Sequence, residues 1–126
     1  MTVESASSRE SVLLITTEHG YDLVIGYAIP IGEPGAVISL VLQRTPAHEI
    51  LLPPEERGVR VSHERYSSPE GERLRRVVLD GPKVDIETNV RSYSLDLSDV
   101  EPEEVAEARA VLAEMNRLGG FELRAN

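Results

Sequence analysis

Apolar residues crowd the first third of this chain and then settle into shorter-period patterns. Residues 11–17 and 21–29 are rich in β-branched and large apolar side chains, and Glu18-His19-Gly20 between them reads as a tight hairpin turn. With His19-Gly20 as a two-residue loop, Val12 lies opposite Tyr27 and Leu14 opposite Ile25 on one side, and Ile15 opposite Val24 on the other. Both faces of such a hairpin are apolar, which places it inside a covered sheet or between a sheet and a helix, because a solvated face would alternate. Residues 30–35 contain two prolines and two glycines and form a connection; residues 36–42 are then a third, central strand buried on both sides. Pro46, Pro53 and Pro54 surround Ile50-Leu51-Leu52. Proline cannot donate to a ladder, so residues 45–58 are a long loop, with one helical turn opened by Thr45 as cap and Pro46 at the first helical position.

Beyond Gly58 the registers sharpen. Ser68-Pro69-Glu70-Gly71 fits a type I turn between strands at 59–65 and 73–79, pairing Val61 with Val78, His63 with Arg76 and Glu64 with Arg75. A second reversal at Asp80-Gly81-Pro82-Lys83 sets Leu79 opposite Val84, Val77 opposite Ile86 and Arg76 opposite Glu87. Along the last strand the apolar positions run Val84, Ile86, Val90 and then Tyr93, Leu95, Leu97, a parity slip that reads as a β-bulge near Arg91-Ser92.

Val105, Ala108, Leu112, Met115 and Leu118 step by three and four and share one helical face. Ser98 with Glu101 resembles a capping box, Pro102 suits the first turn, four glutamates from Glu101 to Glu107 oppose the positive end of the dipole, and Gly119-Gly120 supplies the stop. Phe121 and Leu123 either return as a short terminal strand or pack under the helix end. The reading is therefore an α+β domain over residues 11–126: one meander-rich antiparallel sheet of six or seven strands with a C-terminal amphipathic helix packed on it. Residues 1–10, which show no apolar period, are a flexible segment.

Composition narrows the chemistry. At 126 residues and 40% hydrophobic the chain can bury a stable core, and the absence of cysteine removes disulfides, thiolate catalysis and Cys-ligated metals. No apolar run reaches the length of a membrane helix, and Met1-Thr2-Val3-Glu4-Ser5 lacks a signal segment, so a cytoplasmic, non-membrane protein is expected. Thirteen basic against twenty-two acidic residues leave −9, yet residues 57–76 hold six arginines and three glutamates and carry +3, leaving −12 elsewhere. An acidic chain with five aromatics is a poor nucleic-acid binder. The basic segment (Arg57, Arg60, Arg65, Arg73, Arg75, Arg76) instead suits an acidic protein or the acidic helix of a second copy. Ile50, Leu51 and Leu52 add a second candidate surface. On a loop they either cap the end of the core, the favoured reading, or stand exposed as a contact patch.

Motifs are few. His19, His48 and His63 meet no metal-ligand spacing, His48-Glu49 lacks the second histidine of a helical zinc site, and no phosphate-binding or nucleophile-elbow motif occurs, so neither metal nor cofactor is implied. One constellation has catalytic form: the two hairpin registers together line up His63, Arg76 and Glu87 on one face, where a carboxylate could hold the guanidinium while histidine moved a proton. A cross-strand charge ladder is the plainer account of the same three residues. The sequence is read as a non-enzymatic protein-interaction module, an adaptor, inhibitor or immunity-type binder. The alternatives are a small enzyme or ligand-binding domain using His63, Arg76 and Glu87 in a sheet–helix cleft, and a homodimer joined through strands 11–17 and 36–42.

Overall fold

Inward and outward side chains alternate strictly along the longest strands, and two sheets result rather than one. The structure, a computed structural model, describes residues 9–126. Strands β2 (Leu14–His19), β3 (Leu23–Pro30), β4 (Val37–Arg44) and β5 (Arg60–His63) form an antiparallel sheet in that order. Strands β1 (Glu10–Ser11), β6 (Leu74–Asp80), β7 (Lys83–Thr88), β8 (Ser92–Asp96) and β9 (Glu122–Ala125) form the second, ordered β1-β8-β7-β6-β9. In it β1 runs parallel to β8 and β9 parallel to β6, so the sheet is mixed. The expected single antiparallel sheet of six or seven strands is thus corrected.

The chain changes sheet at two corners. Val12 N–H donates to the Asp96 carbonyl in one sheet and Leu13 N–H to the Ala28 carbonyl in the other. At the second corner Val61 N–H reaches the Glu72 carbonyl and Leu74 N–H the Val59 carbonyl, and Arg60 and Arg73 form a single bridge. The inner faces share one core, with Ile25, Leu40 and Leu42 from the first sheet and Val77, Val84, Ile86 and Leu95 from the second. Burying each such side chain is worth roughly 1.5–3 kcal/mol. Helix α2 (Pro102–Arg117) packs on β2 and β3 and buries Ala108, Val111, Leu112 and Met115. Its Val105, Ala108 and Leu112 meet Tyr27 of one sheet and Leu79 and Val84 of the other, so the helix closes the gap between the sheets on that side.

Several registers differ from expectation for identifiable reasons. The first hairpin turns through Gly20, Tyr21 and Asp22, so His19 faces Leu23, Ile15 faces Tyr27 and Thr17 faces Ile25; the register expected from a two-residue loop does not form. Neither β3 nor β4 is apolar-buried on both sides: Val24, Gly26, Ala28, Ser39 and Val41 are half-buried on the outer face, and Val37 is exposed. Strand β5 pairs with β4, His63 opposite Leu40 and Val61 opposite Leu42, so the expected pairs Val61–Val78, His63–Arg76 and Glu64–Arg75 are replaced. The turn at residues 68–71 does form, with Gly71 N–H on the Ser68 carbonyl at 2.8 Å, but within an excursion between sheets.

The β6–β7 hairpin matches expectation, with Arg76 opposite Glu87, Val77 opposite Ile86 and Leu79 opposite Val84. The parity slip near Arg91 is a chain reversal rather than a bulge: Thr88 Oγ1 accepts from the N–H groups of Val90 and Arg91, and β8 then runs back along β7. A short helix α1 (Pro46–Glu49) follows Thr45 with Pro46 first, as expected, but the Thr45 hydroxyl makes no cap hydrogen bond and donates to Asp22 instead; a 3-10 turn spans Pro54–Glu56. Helix α2 starts from Glu101 without a side-chain cap, because the Ser98 hydroxyl donates to Asp96 instead. It stops at Leu118, and Gly119 follows at φ +79°, a conformation that only glycine adopts freely. The flexible segment expected for residues 1–10 lies, for residues 1–8, outside the described residues. Arg9 bonds Asp85 at 3.0 Å, and Glu10 pairs with Leu95. No described helix is long and apolar enough to cross a membrane.

Candidate interaction surface

One buried guanidinium organises the end of the molecule where β4 leaves its sheet. Arg44 keeps the inward parity of Ile38, Leu40 and Leu42, and its side chain is 3% exposed. Its fork takes both carboxylate oxygens of Glu49, at 2.7 and 3.0 Å, and Nη1 donates to the carbonyls of Met115 and Gly119 at 2.8 and 2.6 Å. The last carbonyls of a helix lack helical partners and carry partial negative charge, so a cation there both satisfies and neutralises them. Arg44 therefore fastens α1 to the end of α2. The Thr45 hydroxyl, donating to Asp22 at 2.7 Å, fastens the same turn to the β2–β3 loop.

Directly after Glu49 the turn continues outward, with Leu51 N–H on the His48 carbonyl and Leu52 N–H on the Glu49 carbonyl. Ile50 and Leu51 stand out at 76% and 79% exposed, and only Leu52 is half-buried, its carbonyl accepting from Arg57 Nε at 2.9 Å. Ile50 and Leu51 thus do not cap the core, contrary to the favoured reading. A groove of about 360 Å³ runs between the loop and the end of α2, lined by Pro46, Ile50, Pro54, Arg57 and Leu118. Leu118 is itself 46% exposed, and Arg57 forms no ion pair among the described residues. Tyr21, 64% exposed, meets His48 edge-on at 6.0 Å and extends the apolar surface toward the hairpin tip.

The six arginines of the basic segment do not share one face, because β5 and β6 lie in different sheets. Arg57 borders the groove, while Arg60 projects from the outer face of the four-stranded sheet. Arg65 is exposed after β5 and Arg75 is exposed on β6. Arg73 folds back to the Glu56 carbonyl at 3.0 Å. Arg76 pairs with Glu87 at 3.4 Å on the outer face of the five-stranded sheet. His63 points inward from the other sheet, 6% exposed, so the structure brings Arg76 and Glu87 together without the histidine.

His63 belongs to a different set. Its ring lies parallel to Tyr93 at 5.5 Å and against Tyr66 at 4.6 Å, and its Nδ1 accepts from Arg65 N–H at 3.0 Å. Beside it the buried Glu72 carboxylate accepts from Thr88 Oγ1 at 2.7 Å, from Tyr93 OH at 2.8 Å and from Ser68 Oγ at 3.2 Å. Arg91 covers the outer face of Tyr66 at 4.6 Å. Burial, then Arg65 and Arg91, hold His63 below the usual histidine range, against an opposing pull from Glu10 and Glu72. Burial and the Glu72 hydrogen bond push the Tyr93 hydroxyl far up, so it stays a donor. With every Glu72 partner a hydroxyl inside the protein, the cluster ties β5, β7 and β8 together. Sequence reading missed it, although its signal was present: Glu72 shares the parity of Leu74, and Thr88 that of Val84 and Ile86.

Neither protein-family models, nor curated proteins, nor solved structures match this chain. Among the described residues no group of three or more His, Asp or Glu is placed to hold a metal ion.

Proposed function

We propose that the protein is a non-enzymatic interaction module that receives a partner protein at the groove between the α1 loop and the end of α2. The observation that carries this reading is the exposure of Ile50 and Leu51, at 76% and 79%, on a turn that Arg44 holds in place. Neighbouring large apolar side chains displayed on a rigid support, beside a hollow, have the make-up of an interface centre. Arg57 gives the groove one charge with no carboxylate of its own among the described residues, so the matching segment presents an apolar side chain next to Asp or Glu.

Covering two such side chains contributes roughly 3–4 kcal/mol, about two to three decades of affinity. Ile50→Ser/Leu51→Ser and Arg57→Glu change only exposed residues and should leave the fold intact. With each form immobilised in native lysate, a protein retained by wild type should be lost from both variants. Identical retention by all three forms, or no specific retention by wild type, overturns the reading.

A further inference from the structure

The outer faces of the two sheets differ sharply. On the five-stranded sheet charges of both signs are interspersed and several pair, Arg76 with Glu87, Arg9 with Asp85 and Arg124 with Glu122, as on a solvated face. The outer face of the four-stranded sheet has almost no charge. Its middle row is Thr16, Gly26, Val41 and Ser62, and the row above holds Leu14, Ala28 and Ser39. The row Glu18, Val24, Gln43, Arg60 carries opposite signs on the two outer strands, with no ion pair for either residue among the described residues; the other charge at this face, Glu64 just past β5, is held at the edge by the Ser39 N–H at 2.9 Å.

We infer that this face is where a second copy of the chain docks, sheet on sheet, about a two-fold axis lying along the strands between β3 and β4. That operation sets β2 of one copy over β5 of the other and β3 over β4, and keeps each row at its own height. Glu18 then meets Arg60 of the second copy, twice by symmetry, and each charge gains the counter-ion it lacks. In the middle row Gly26 meets Val41. Gly26 carries no side chain of its own, and the Thr16 hydroxyl leans over it, 2.8 Å from where a Cβ would stand, so Val41 of the second copy meets a flat, uncharged surface. Thr16 meets Ser62, and Ala28 meets Ser39. Four strands about 4.8 Å apart, with six, eight, eight and four residues, cover about 400 Å² on each copy, or ~800 Å² for the pair, the size of a weak, reversible dimer.

Sedimentation across the micromolar range tests this. Wild type should move from the mass of one chain toward that of two with rising concentration. Arg60→Glu sets two carboxylates against each other in both places and should weaken the dimer at least about tenfold. The double variant Glu18→Arg/Arg60→Glu reverses both charges and should restore it. Val41→Lys, which puts a charge into the middle row, should abolish it, with circular dichroism confirming that each variant is folded. A single-chain mass for wild type at every concentration overturns the proposal. A dimer indifferent to Arg60→Glu and Val41→Lys, or a double variant no tighter than Arg60→Glu, does so equally.

Discussion

Arg44 sits where the alternation of β4 calls for an apolar residue, and its cost of burial is offset only because five acceptors converge on it. Removing one member of such a set exposes the others: Arg44→Met leaves the Glu49 carboxylate and the end of α2 unpartnered. The expected loss is about 3 kcal/mol of unfolding free energy, read from urea denaturation, with Glu49→Gln losing less because the helix carbonyls keep their donor. His63 behaves differently. Its folded-state pKa lies below the ordinary 6.5, so the unfolded chain takes up its proton first as pH falls. The stabilisation is present in full above about 6.5 and drains away as pH falls from there toward the folded-state pKa. Urea midpoints measured over that window should fall in wild type and fall less in His63→Gln; parallel profiles would remove the histidine as the cause.

At the scale of elements, Gly26 is where β3 is least tolerant. A methyl group at that position meets Thr16 Oγ1 at 2.8 Å, so Gly26→Ala should destabilise by about 1–2 kcal/mol, and adding Thr16→Ala should recover most of the loss. Equal stability of Gly26→Ala and wild type would mean that Thr16 simply turns aside. The elements that could be read from the chain were those closed by local chemistry: α2, bounded by Pro102 and Gly119, and the β6–β7 hairpin, whose Gly81-Pro82 turn admits one register. Strand pairing across the sheets could not be read, because Val59, Val61 and His63 face inward whether β5 lies beside β6 or, as it does, beside β4. The corner at Val12-Leu13 was hidden too. In an unbroken apolar run nothing marks Leu13 and Leu14 as two consecutive outward residues between the buried Val12 and Ile15. The candidate surface was half legible: Ile50 and Leu51 stood out, but the anchoring of the turn before them runs through Arg44, which reaches residues more than seventy positions away.

For the whole molecule, charge is less lopsided in space than along the chain. The +3 carried by residues 57–76 is divided among the groove, both outer sheet faces and the loop after β5, while the acidic excess of the first two turns of α2 stays together on one element. Recognition at either proposed surface then turns on single guanidinium groups, Arg57 in the groove and Arg60 on the sheet, rather than on a broad field. The five-stranded sheet has a consequence in time as well as in space. Its lateral strands pair with distant segments, β1 pairing Glu10 with Leu95 and β9 pairing Arg124 with Val78, whereas the ladders of β2 through β4 join only strands adjacent in the chain. Loop closure of that length slows folding, so the four-stranded sheet is free to form on a growing polypeptide while its companion waits for β8 and then β9 to leave the ribosome. Until then the inner face of the early sheet, Ile25, Leu40 and Leu42, has nothing to cover it.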